Sequence, residues 1–457
     1  MPSWPLGEAL AHDFSVYVMT NHGRPDLLAR TLDSLRQSDV GTDFSVFSHP
    51  PRMAFLDFFV ACFEAVGTDR RYVVQIEDDV VVNRHLLHNL RNWTARRDPQ
   101  FGVGYGFVSQ GVAGDRGRQA RSALGIYRSC EFTHGSCLAL VPAAEVPALC
   151  AAMRARMVPK TPPQFGGDLL LSGAVWDWSK RVYLHEPALA ETDIGTSSIR
   201  CHPVTPDHAA QDNFHPRWRS PGCIVPVRNA TGDWLIRSGT IDEHLILAND
   251  EYGLDSLPAR PTVVDAGAHI GTVARRVLRL RPNATVAAVE MDPVNVDLLR
   301  SNTWSVRDRV TVVEAALVGK PRELRVGCLH GPYNTVGHFV EQAGAAGRGS
   351  VFDQRQNRPA LLAQLTLADI VERCGDIDLL KLDIEGCEFD VLTNAGRRLF
   401  GRIGAVAMEV HPWAMPGGGV QAPVAMLRAC YQHVEIQKHD PANLREQFMI
   451  RAAHRTL

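Results

Sequence analysis

Glycines and acidic residues follow two apolar runs in a pattern that suits a ligand containing a nucleoside. The run Thr262–Asp265 leads to Gly267, His269 and Gly271, and the next apolar run ends on Glu290. A turn that binds a dinucleotide has glycine in its middle position, because the backbone must approach a pyrophosphate closely. Histidine occupies that position here, at 269. The pattern therefore predicts a cofactor that has a ribose but no pyrophosphate.

S-Adenosylmethionine meets this description, and the turn offers contacts for each of its parts. Asp265, at the end of the first strand, can meet the ammonium group. Glu290 can accept hydrogen bonds from both ribose hydroxyls, because one carboxylate binds two donors. Adenine is expected against Glu314 and Ala315, which follow the third strand. The structural alternative is an ordinary strand–turn–helix in which Glu290 is solvated. The predicted cofactor-binding residues are Asp265, Gly267, Ala268, His269, Gly271, Glu290, Glu314 and Ala315.

Five further polar residues end two later strands of the same region. Lys381, Asp383 and Glu385 follow one apolar run, and Glu409 and His411 end the next. Ligands bind at the carboxyl ends of the strands in a parallel sheet, so these side chains are expected to converge on one cleft. Methyl transfer to an alcohol needs a base at the acceptor oxygen. His411 is the first candidate, because the reference pKa of histidine lies near 6.5.

The other charged residues of this group have more than one interpretation. Asp383 and Glu385 are the next candidates for the base, or they bind an acceptor diol or a metal ion. Lys381 completes the predicted catalytic group. The non-catalytic alternatives are a structural ion pair between Lys381 and Asp383, and a capped turn before Pro412 for His411.

Three segments of this region resemble the FkbM-type S-adenosylmethionine-dependent methyltransferases. They are Val263–Gly271, Lys381–Gly386 and Glu409–His411, and the resemblance covers Trp234–Arg451. It implies a Rossmann-like domain that methylates hydroxyl oxygens, often on sugars or polyketides. His269 departs from the family, which often has asparagine at that position.

The first half of the chain has an acidic strand end of its own. Glu77, Asp78 and Asp79 follow the apolar run Val73–Ile76. Carboxylates at the end of a rigid strand can hold Mn²⁺ or Mg²⁺ against a diphosphate. The non-catalytic alternative is an acidic turn that leads into a helix.

Two stretches around this acidic triplet resemble the GT-A glycosyltransferases. In Val16–Pro25, the end of the first strand, at Thr20, is expected to hold the base of a nucleotide. The stretch Gln75–Val80 looks like the metal-binding D-x-D element of that family. The resemblance covers Ser15–Ile199, and it implies a metal-dependent sugar transferase with a nucleotide-sugar donor, expected to be a UDP-sugar.

The same resemblance predicts functional roles for two further aspartates. Pro187–Ser198 resembles the end of the branching N-acetylglucosaminyltransferase type, with Asp193 where that pattern commonly has histidine. Aspartate can also ligate a metal, so Asp193 joins Glu77–Asp79 as a predicted ligand. Asp168 is placed like the acceptor-activating base of inverting members. It also precedes an apolar helical run, where aspartate is a common N-cap.

Strands and helices alternate in both halves of the sequence, which predicts an α/β fold. Two late strands are expected to form an antiparallel edge. We predict two domains, each with a mostly parallel sheet flanked by helices: a GT-A-like domain over 1–215 and a Rossmann-like methyltransferase domain over 216–457. The predicted strands are Ser15–Met19, Phe44–Phe47, Arg71–Ile76, Val263–Asp265, Thr285–Glu290, Arg309–Val313, Asp378–Asp383, Gly404–Val410, His433–Lys438 and Gln447–Arg451, and the predicted helices include Asp26–Gln37, Ala54–Val66, Thr272–Leu280 and Pro293–Asn302.

Composition places the chain among globular proteins. It has 457 residues, 45% hydrophobic content and a net charge of −2, which gives no reason to expect a nucleic-acid partner. The ten cysteines include no C-x-x-C pair, and the N-terminus lacks the segments of a signal peptide. These features predict a cytoplasmic protein. No apolar run is long enough to span a bilayer. The expected partner is a small-molecule or glycan acceptor, and a homo-oligomer is compatible with the sequence.

The two resemblances together predict a bifunctional enzyme. One domain would add a sugar from a nucleotide sugar, and the other would O-methylate a hydroxyl of a sugar or a glycosylated metabolite. Fusion raises the effective concentration of the intermediate at the second site. The alternative is an O-methyltransferase whose glycosyltransferase-like domain only binds glycan. Glu77–Asp79 and Asp168 favour an active first domain, whereas Asp193 leaves the identity of the donor open.

Overall fold

The chain divides into two compact units, which are described separately. The first comprises residues 1–225 and 237–239, and the second comprises residues 226–236 and 240–457. The predicted boundary, after residue 215, lies outside the described residues. A computed structural model of the chain describes residues 13–20, 25–106, 118–122, 125–130, 137–157, 167–185, 188–192, 223–248, 251–322, 324–328, 338–342, 358–359, 363–411, 420–438 and 448–454.

The first unit begins with alternating strands and helices. The three strands and two helices predicted there are confirmed within one residue at either end. Its strands are β1 Phe14–Thr20, β2 Ser45–Ser48, β3 Tyr72–Glu77, β4 Val80–Val82, β5 Phe101–Tyr105, β6 Arg118–Ser122, β7 Gly125–Cys130, β8 Leu138–Pro142, β9 Arg181–Leu184 and β10 Ala190–Thr192. Its helices are α1 Pro25–Gln37, α2 Phe55–Ala65, α3 Leu86–Arg91, α4 Val146–Met157 and α5 Gly167–Asp177.

The main sheet of this unit is mixed, with the order β2-β1-β3-β8-β5-β9-β7-β6. β1 is parallel to β2 and β3, and β5 is parallel to β9, but the remaining neighbours are antiparallel. The prediction of a mostly parallel sheet is therefore wrong for this unit. Parallel neighbours need a crossover, which α1 and α2 provide beside β1. β8 follows the β6–β7 pair instead, and it runs opposite to both β3 and β5.

Apolar side chains cover both faces of this sheet. Successive residues of a strand point to opposite faces, so Val16 and Val18 belong to one buried cluster and Tyr17 and Met19 to the other. The carboxyl ends of β1 and β3 are thereby fixed between two packed layers. Any group that follows these strands is held by a rigid element.

The second unit continues the alternation. None of the helices in the described part of the chain has the length and apolar content needed to cross a membrane. Its strands, with the β11–β12 pair that begins in the first unit, are β11 Ile224–Asn229, β12 Gly232–Arg237, β13 Thr262–Ala266, β14 Thr285–Glu290, β15 Val310–Glu314, β16 Ala316–Leu317, β17 Leu324–Cys328, β18 His338–Gln342, β19 Arg358–Pro359, β20 Gln364–Leu365, β21 Ile377–Leu382, β22 Ile403–Val410, β23 His433–Lys438 and β24 Phe448–Ala453. Its helices are α6 Asp242–Leu245, α7 Thr272–Leu280, α8 Pro293–Asn302, α9 Leu367–Cys374, α10 Glu388–Ala395, α11 Arg397–Phe400 and α12 Gln421–Arg428.

The main sheet of the second unit has the order β15-β14-β13-β21-β22-β24-β23. The first five strands are parallel, in the order three, two, one, four, five of a Rossmann-like sheet. β23 and β24 add the predicted antiparallel edge, which is confirmed. The strand order reverses between β13 and β21. Ligands of such sheets bind at the carboxyl ends of the strands at this reversal.

Local sequence fixes the helices that follow the central strands. α7 turns the buried face formed by Val273, Ala274 and Val277 towards the sheet. α8 begins with Pro293, and the side chain of Asp292 accepts a hydrogen bond from the Val294 amide at 2.9 Å. The cap formed by Asp292 fixes where α8 begins, and hence where the polypeptide leaves β14.

Candidate functional site

Residues at the carboxyl ends of β13, β14, β15 and β21 surround one cavity of the second unit. Its volume is about 590 Å³, including the part open to solvent. The lining residues are Gly267, His269, Val289, Glu290, Met291, Asn295, Ala315, Ala316, Leu317, Asp383, Ile384 and Glu385.

The turn after β13 depends on glycine for a close approach between two loops. Gly267 has φ of 76°, and a Cβ there would lie 1.7 Å from the carbonyl oxygen of Asp383. Gly271 has φ of 91°, and a Cβ there would lie 2.8 Å from Cδ1 of Leu299. Gly267 therefore shapes the cavity itself, whereas Gly271 serves the packing of α7 against α8. Ala268 is buried in the apolar cluster on one face of the sheet and does not line the cavity.

Glu290 is the acidic residue that the structure places in the cavity wall at the end of β14. Its side chain is buried, and each carboxylate oxygen accepts one backbone hydrogen bond of 2.8 Å, from His269 and from Asp292. Each oxygen of a carboxylate can accept two hydrogen bonds, and Glu290 lines the cavity. The carboxylate is thus oriented by the backbone before any ligand arrives.

Glu314 differs from Glu290 although the two are register partners on β14 and β15. Its carboxylate lies 3.2 Å from Nη1 of Arg300, and its side chain is 32% exposed. Glu314 does not line the cavity, whereas Ala315 does. The adenine contact of Ala315 therefore stays a prediction, and Glu314 has the geometry of a surface ion pair.

His269, in the middle position of the turn, lines the cavity in a left-handed conformation with φ of 49°. Its Nε2 lies 3.5 Å from Oδ1 of Asp242, which is completely buried. The backbone amide of His269 also donates to Glu290. The residue that departs from the dinucleotide pattern thus contacts two buried carboxylates, of which Glu290 lines the cavity and Asp242 does not.

Lys381 is a buried cation between the ends of β13 and β21. Its Nζ lies 3.4 Å from Asp265 and 3.4 Å from Asp383, and it donates to the carbonyl of Gly267 at 2.7 Å. Burial disfavours its charge, but the two carboxylates outweigh burial and raise the pKa of Lys381. Asp265 is completely buried and does not line the cavity. Its predicted contact with the cofactor ammonium stays a prediction, and the ion pair is what the geometry shows.

His411, at the end of β22, lies among acidic side chains. Its Nδ1 is 3.0 Å from Oε1 of Glu388, and its Nε2 is 3.4 Å from Glu385 and 4.0 Å from Glu409. We call Asp383, Glu385, Glu388 and Glu409 the carboxylate cluster. The ends of β21 and β22 therefore meet, but of the residues predicted to converge on one cleft only Asp383 and Glu385 line the cavity, and Lys381, Glu409 and His411 do not.

The carboxylate cluster changes the charge of His411. Burial lowers its pKa, but Glu388, Glu385 and Asp383 outweigh burial and raise the pKa to about 10. Burial, and then Asp383, raise the pKa of Glu409 to about 8. For Asp383 burial opposes ionisation, yet Lys381 and His411 lower its pKa. At neutral pH His411 is therefore an imidazolium, which has no lone pair with which to accept a proton.

Ligand atoms of Asp383, Glu409 and His411 lie within 4.8 Å of one another, a spacing that a divalent cation can use. Lys381 already neutralises charge at Asp383, and the His411 ring is bonded to Glu388. We therefore assign these three side chains to an ion-pair network rather than to a metal site.

In the first unit, the ends of β1 and β3 bring Thr20 and Asp78 together. The hydroxyl of Thr20 donates to Oδ2 of Asp78 at 2.8 Å, and both side chains are buried. Glu77 ends β3 and is register partner of Met19. Asp79 follows and precedes β4. The predicted nucleotide contact and the predicted metal ligand are thus neighbours.

The two remaining predicted residues of this unit cannot be placed in the site. Asp193 lies outside the described residues, directly after β10, whose Thr192 is the register partner of Val80. Asp168 is the second residue of α5, within the first turn of the helix, and its side chain lies outside the described part. Their roles as metal ligand and base stay predictions.

Several residues at or near the cavity of the second unit were not predicted from the sequence. Glu388 contacts His411, Asp242 contacts His269, and the hydroxyl of Tyr252 lies 3.4 Å from Asp383. Met291 and Asn295 line the cavity. One signal was available for Glu388: it follows Glu385 by three residues and opens an apolar helical run, where a carboxylate can bond exposed amides.

A comparison with protein families matches part of the second unit. Residues 265–442 match the methyltransferase FkbM domain family. A comparison with curated proteins gives no match. The structure of methyltransferase FkbM from Methylobacillus flagellatus KT is similar over 45% of this chain and 47% of its own, with 17% identity and a TM-score of 0.31.

Two other solved structures are similar over a comparable share of the chain. Precorrin-6y C5,15-methyltransferase from Geobacter metallireducens GS-15 is covered over 89% of its length and covers 46% of this chain, with 15% identity and a TM-score of 0.27. A SAM-dependent O-methyltransferase from Thermotoga maritima is covered over 78% and covers 51% of this chain, with 16% identity and a TM-score of 0.25.

The family match includes the turn at Gly267, the strand end at Glu290 and the carboxylate cluster, and it does not include the first unit. The second unit therefore carries a methyltransferase FkbM domain over residues 265–442, and S-adenosylmethionine-dependent methyl transfer is the activity that this match supports.

Proposed function

We propose that the second unit transfers a methyl group from S-adenosylmethionine to a hydroxyl oxygen of a sugar or of a glycosylated metabolite. The observation that carries the proposal is a single cavity with two kinds of carboxylate in its wall. Glu290 is held by backbone amides at the end of β14, and Asp383 and Glu385 follow β21. The first suits a ribose diol, and the others suit a hydroxyl that must lose a proton.

The described residues offer chemical groups that suit parts of the cofactor. Gly267 has no side chain, so the two loops that meet at the cavity can approach each other closely. Glu290 presents a carboxylate at the cavity wall, and one carboxylate can accept hydrogen bonds from both hydroxyls of a ribose. Ala315, Ala316 and Leu317 offer an apolar wall for a base. When bound, the cofactor supplies a methyl group that is already activated by a sulfonium.

The side chains of the site then have to place an acceptor oxygen and receive its proton. His411 cannot receive it at neutral pH, because its pKa is raised to about 10. We assign this role to Glu385, which lines the cavity and has 17% of its side chain exposed. The imidazolium of His411, 3.4 Å away, holds the carboxylate of Glu385 in place. Asp383, paired with Lys381, orients the acceptor.

Transfer of labelled methyl groups tests this proposal. The purified chain is incubated with S-adenosylmethionine and a panel of sugars, glycosides and nucleotide sugars, and methylated products are identified by mass spectrometry. We expect a hydroxyl acceptor among them, and we expect Glu385→Gln to keep cofactor binding and lose turnover. Methylation at nitrogen or carbon alone, or full turnover by Glu385→Gln, would refute the assignment of an oxygen acceptor with Glu385 as base.

We propose further that the first unit binds a nucleotide sugar together with Mn²⁺ or Mg²⁺ and transfers the sugar. The hydrogen bond between Thr20 and Asp78 supports this, because it places a predicted nucleotide contact beside a predicted metal ligand. Glu77 and Asp79 flank Asp78. A unit that only binds glycan is the alternative, and it would retain the same fold.

Hydrolysis of nucleotide sugars by the full chain separates the two possibilities. A transferase releases the nucleoside diphosphate slowly in the presence of Mn²⁺, and Asp78→Asn should abolish the release. Glycan binding without hydrolysis of any donor, in wild type and variant alike, would support the alternative. The methyltransferase activity of Asp78→Asn serves as the internal control for folding of the rest of the chain.

A further inference from the structure

We propose that Glu388 is the positioning residue of the methyl-transfer site, acting through His411 and through the loop that carries Glu385. This inference rests on the proposed function of the second unit and adds a role to it. Glu388 is completely buried at the start of α10, does not line the cavity, and was not singled out by the sequence.

The backbone contacts of Glu388 hold the loop after β21. Its Oε1 accepts hydrogen bonds from the amides of Ile384 and Gly386 at 3.0 and 3.1 Å, and its Oε2 accepts from Gly386 at 3.0 Å. Between these amides lies Glu385, a non-glycine residue with φ of 53°. A left-handed residue of this kind persists only where its surroundings fix it. Glu388 thus fixes the backbone from which the Glu385 side chain projects.

The ring contact of Glu388 sets the direction of the His411 side chain. Nδ1 of His411 lies 3.0 Å from Glu388, which leaves Nε2 directed to Glu385 at 3.4 Å. One buried carboxylate therefore bonds both neighbours of Glu385 in the chain and the cation that faces its carboxylate. If Glu385 accepts the proton of the substrate hydroxyl, its position is determined by Glu388 at both ends.

The charged groups around the His411 ring determine how loss of the Glu388 carboxylate would change the protonation of the ring. His411 is faced by Glu388 from α10, by Glu385 and Asp383 from the loop after β21, and by Glu409 from its own strand. Among these carboxylates Glu388 is the closest to the ring. Glu388→Gln keeps the shape of the side chain and removes its charge, so the protonated ring loses its nearest partner.

The experiment compares Glu388→Gln with wild type and with Glu372→Gln, a matched change at an exposed glutamate of α9. ¹⁵N spectra of the histidine rings follow His411, whose signals are assigned by their loss in His411→Gln. In wild type the ring should stay protonated up to a pH near 10. In Glu388→Gln we expect the midpoint to fall by about one to three pH units. Binding of S-adenosylhomocysteine should be retained, and kcat should fall about 100-fold with little change in KM for the cofactor.

Each outcome bears on one of the two proposals. An unchanged titration of His411 and an unchanged kcat in Glu388→Gln would overturn the positioning role. If Glu388→Gln does not fold, His411→Gln decides the question, because it leaves the backbone bonds of Glu388 intact. Normal kcat in His411→Gln would then overturn the role of Glu388 through His411, and reduced kcat with normal S-adenosylhomocysteine binding would support it. Failure of the wild type to bind S-adenosylhomocysteine refutes the proposed function instead, and the ring titration remains measurable.

Discussion

Replacement of Glu290 by glutamine should weaken cofactor binding strongly, because we assign the ribose hydroxyls to this carboxylate and the backbone holds it in place. Its oxygens already accept the amides of His269 and Asp292 at 2.8 Å. Glutamine keeps one acceptor oxygen and turns an NH₂ group towards the other amide, so one buried donor loses its partner. Any ribose hydroxyl bonded on that side loses its acceptor as well.

The size of the effect follows from the value of hydrogen bonds to a charged group. Such a bond contributes about 1.5–3 kcal/mol, and about 1.4 kcal/mol corresponds to a factor of ten in affinity. Loss of one bond to the ribose therefore predicts a fall in affinity for S-adenosylhomocysteine of about 10- to 100-fold. Isothermal titration calorimetry measures it directly, and circular dichroism checks the fold.

Glu314→Gln is the matched control for this experiment. Glu314 is the register partner of Glu290 on the next strand, yet it pairs with Arg300 and does not line the cavity. Surface substitutions usually change free energies by less than about 0.5 kcal/mol, so affinity should stay within about twofold of wild type. Equal, wild-type affinity in both variants would refute the assignment of Glu290. A larger loss in Glu314→Gln would place the ribose at the end of β15 instead.

Three other perturbations have expected outcomes. Gly267→Ala should abolish S-adenosylhomocysteine binding, because its Cβ would lie 1.7 Å from the carbonyl oxygen of Asp383. Gly375→Ala, also at positive φ but with open space around the Cβ, should lower only the free energy of unfolding, by about 1–3 kcal/mol in thermal unfolding. Asp78→Asn should weaken Mn²⁺ binding at least about tenfold in calorimetry, and chelation should stop nucleotide-sugar hydrolysis while methyl transfer continues. The free energy of unfolding of wild type, relative to that of His411→Gln, should be greatest below pH 6.5 and should decline as the pH rises towards about 10, because the folded state binds the proton of the His411 ring more tightly than the unfolded state does. A difference in unfolding temperature between the two proteins that does not change with pH would contradict the raised pKa.

The elements of the second unit could be predicted because each carries its own local signal. Thr272–Leu280 and Pro293–Asn302 were predicted with the bounds that the structure has, since Gly271 and Asp292 mark where they begin. The mixed sheet of the first unit could not be predicted in the same way. Whether its neighbouring strands are parallel or antiparallel depends on which strand lies between β3 and β5. Pairing between distant segments produces no periodic pattern in the sequence.

The candidate site was predictable as far as strand ends determine it. A parallel sheet brings the residues after its strands to one edge, so Glu290, Asp383, Glu385 and His411 were found by position alone. Partners supplied by helices and distant loops were not found. Asp242 reaches His269 from a separate segment, and no spacing in the sequence relates the two.

The role of His411 shows why the position of a residue does not determine its chemistry. A reference pKa near 6.5 made it the natural base. That value belongs to an isolated ring in water, whereas this ring lies 3.0 Å from Glu388 and 3.4 Å from Glu385. Opposite charges at such distances stabilise the protonated form by more than burial destabilises it, so its pKa rises to about 10. His411, which the sequence indicated as the base, is then a cation that holds the carboxylate acting as the base. The proton acceptor therefore has to be sought among the neighbouring carboxylates that line the cavity.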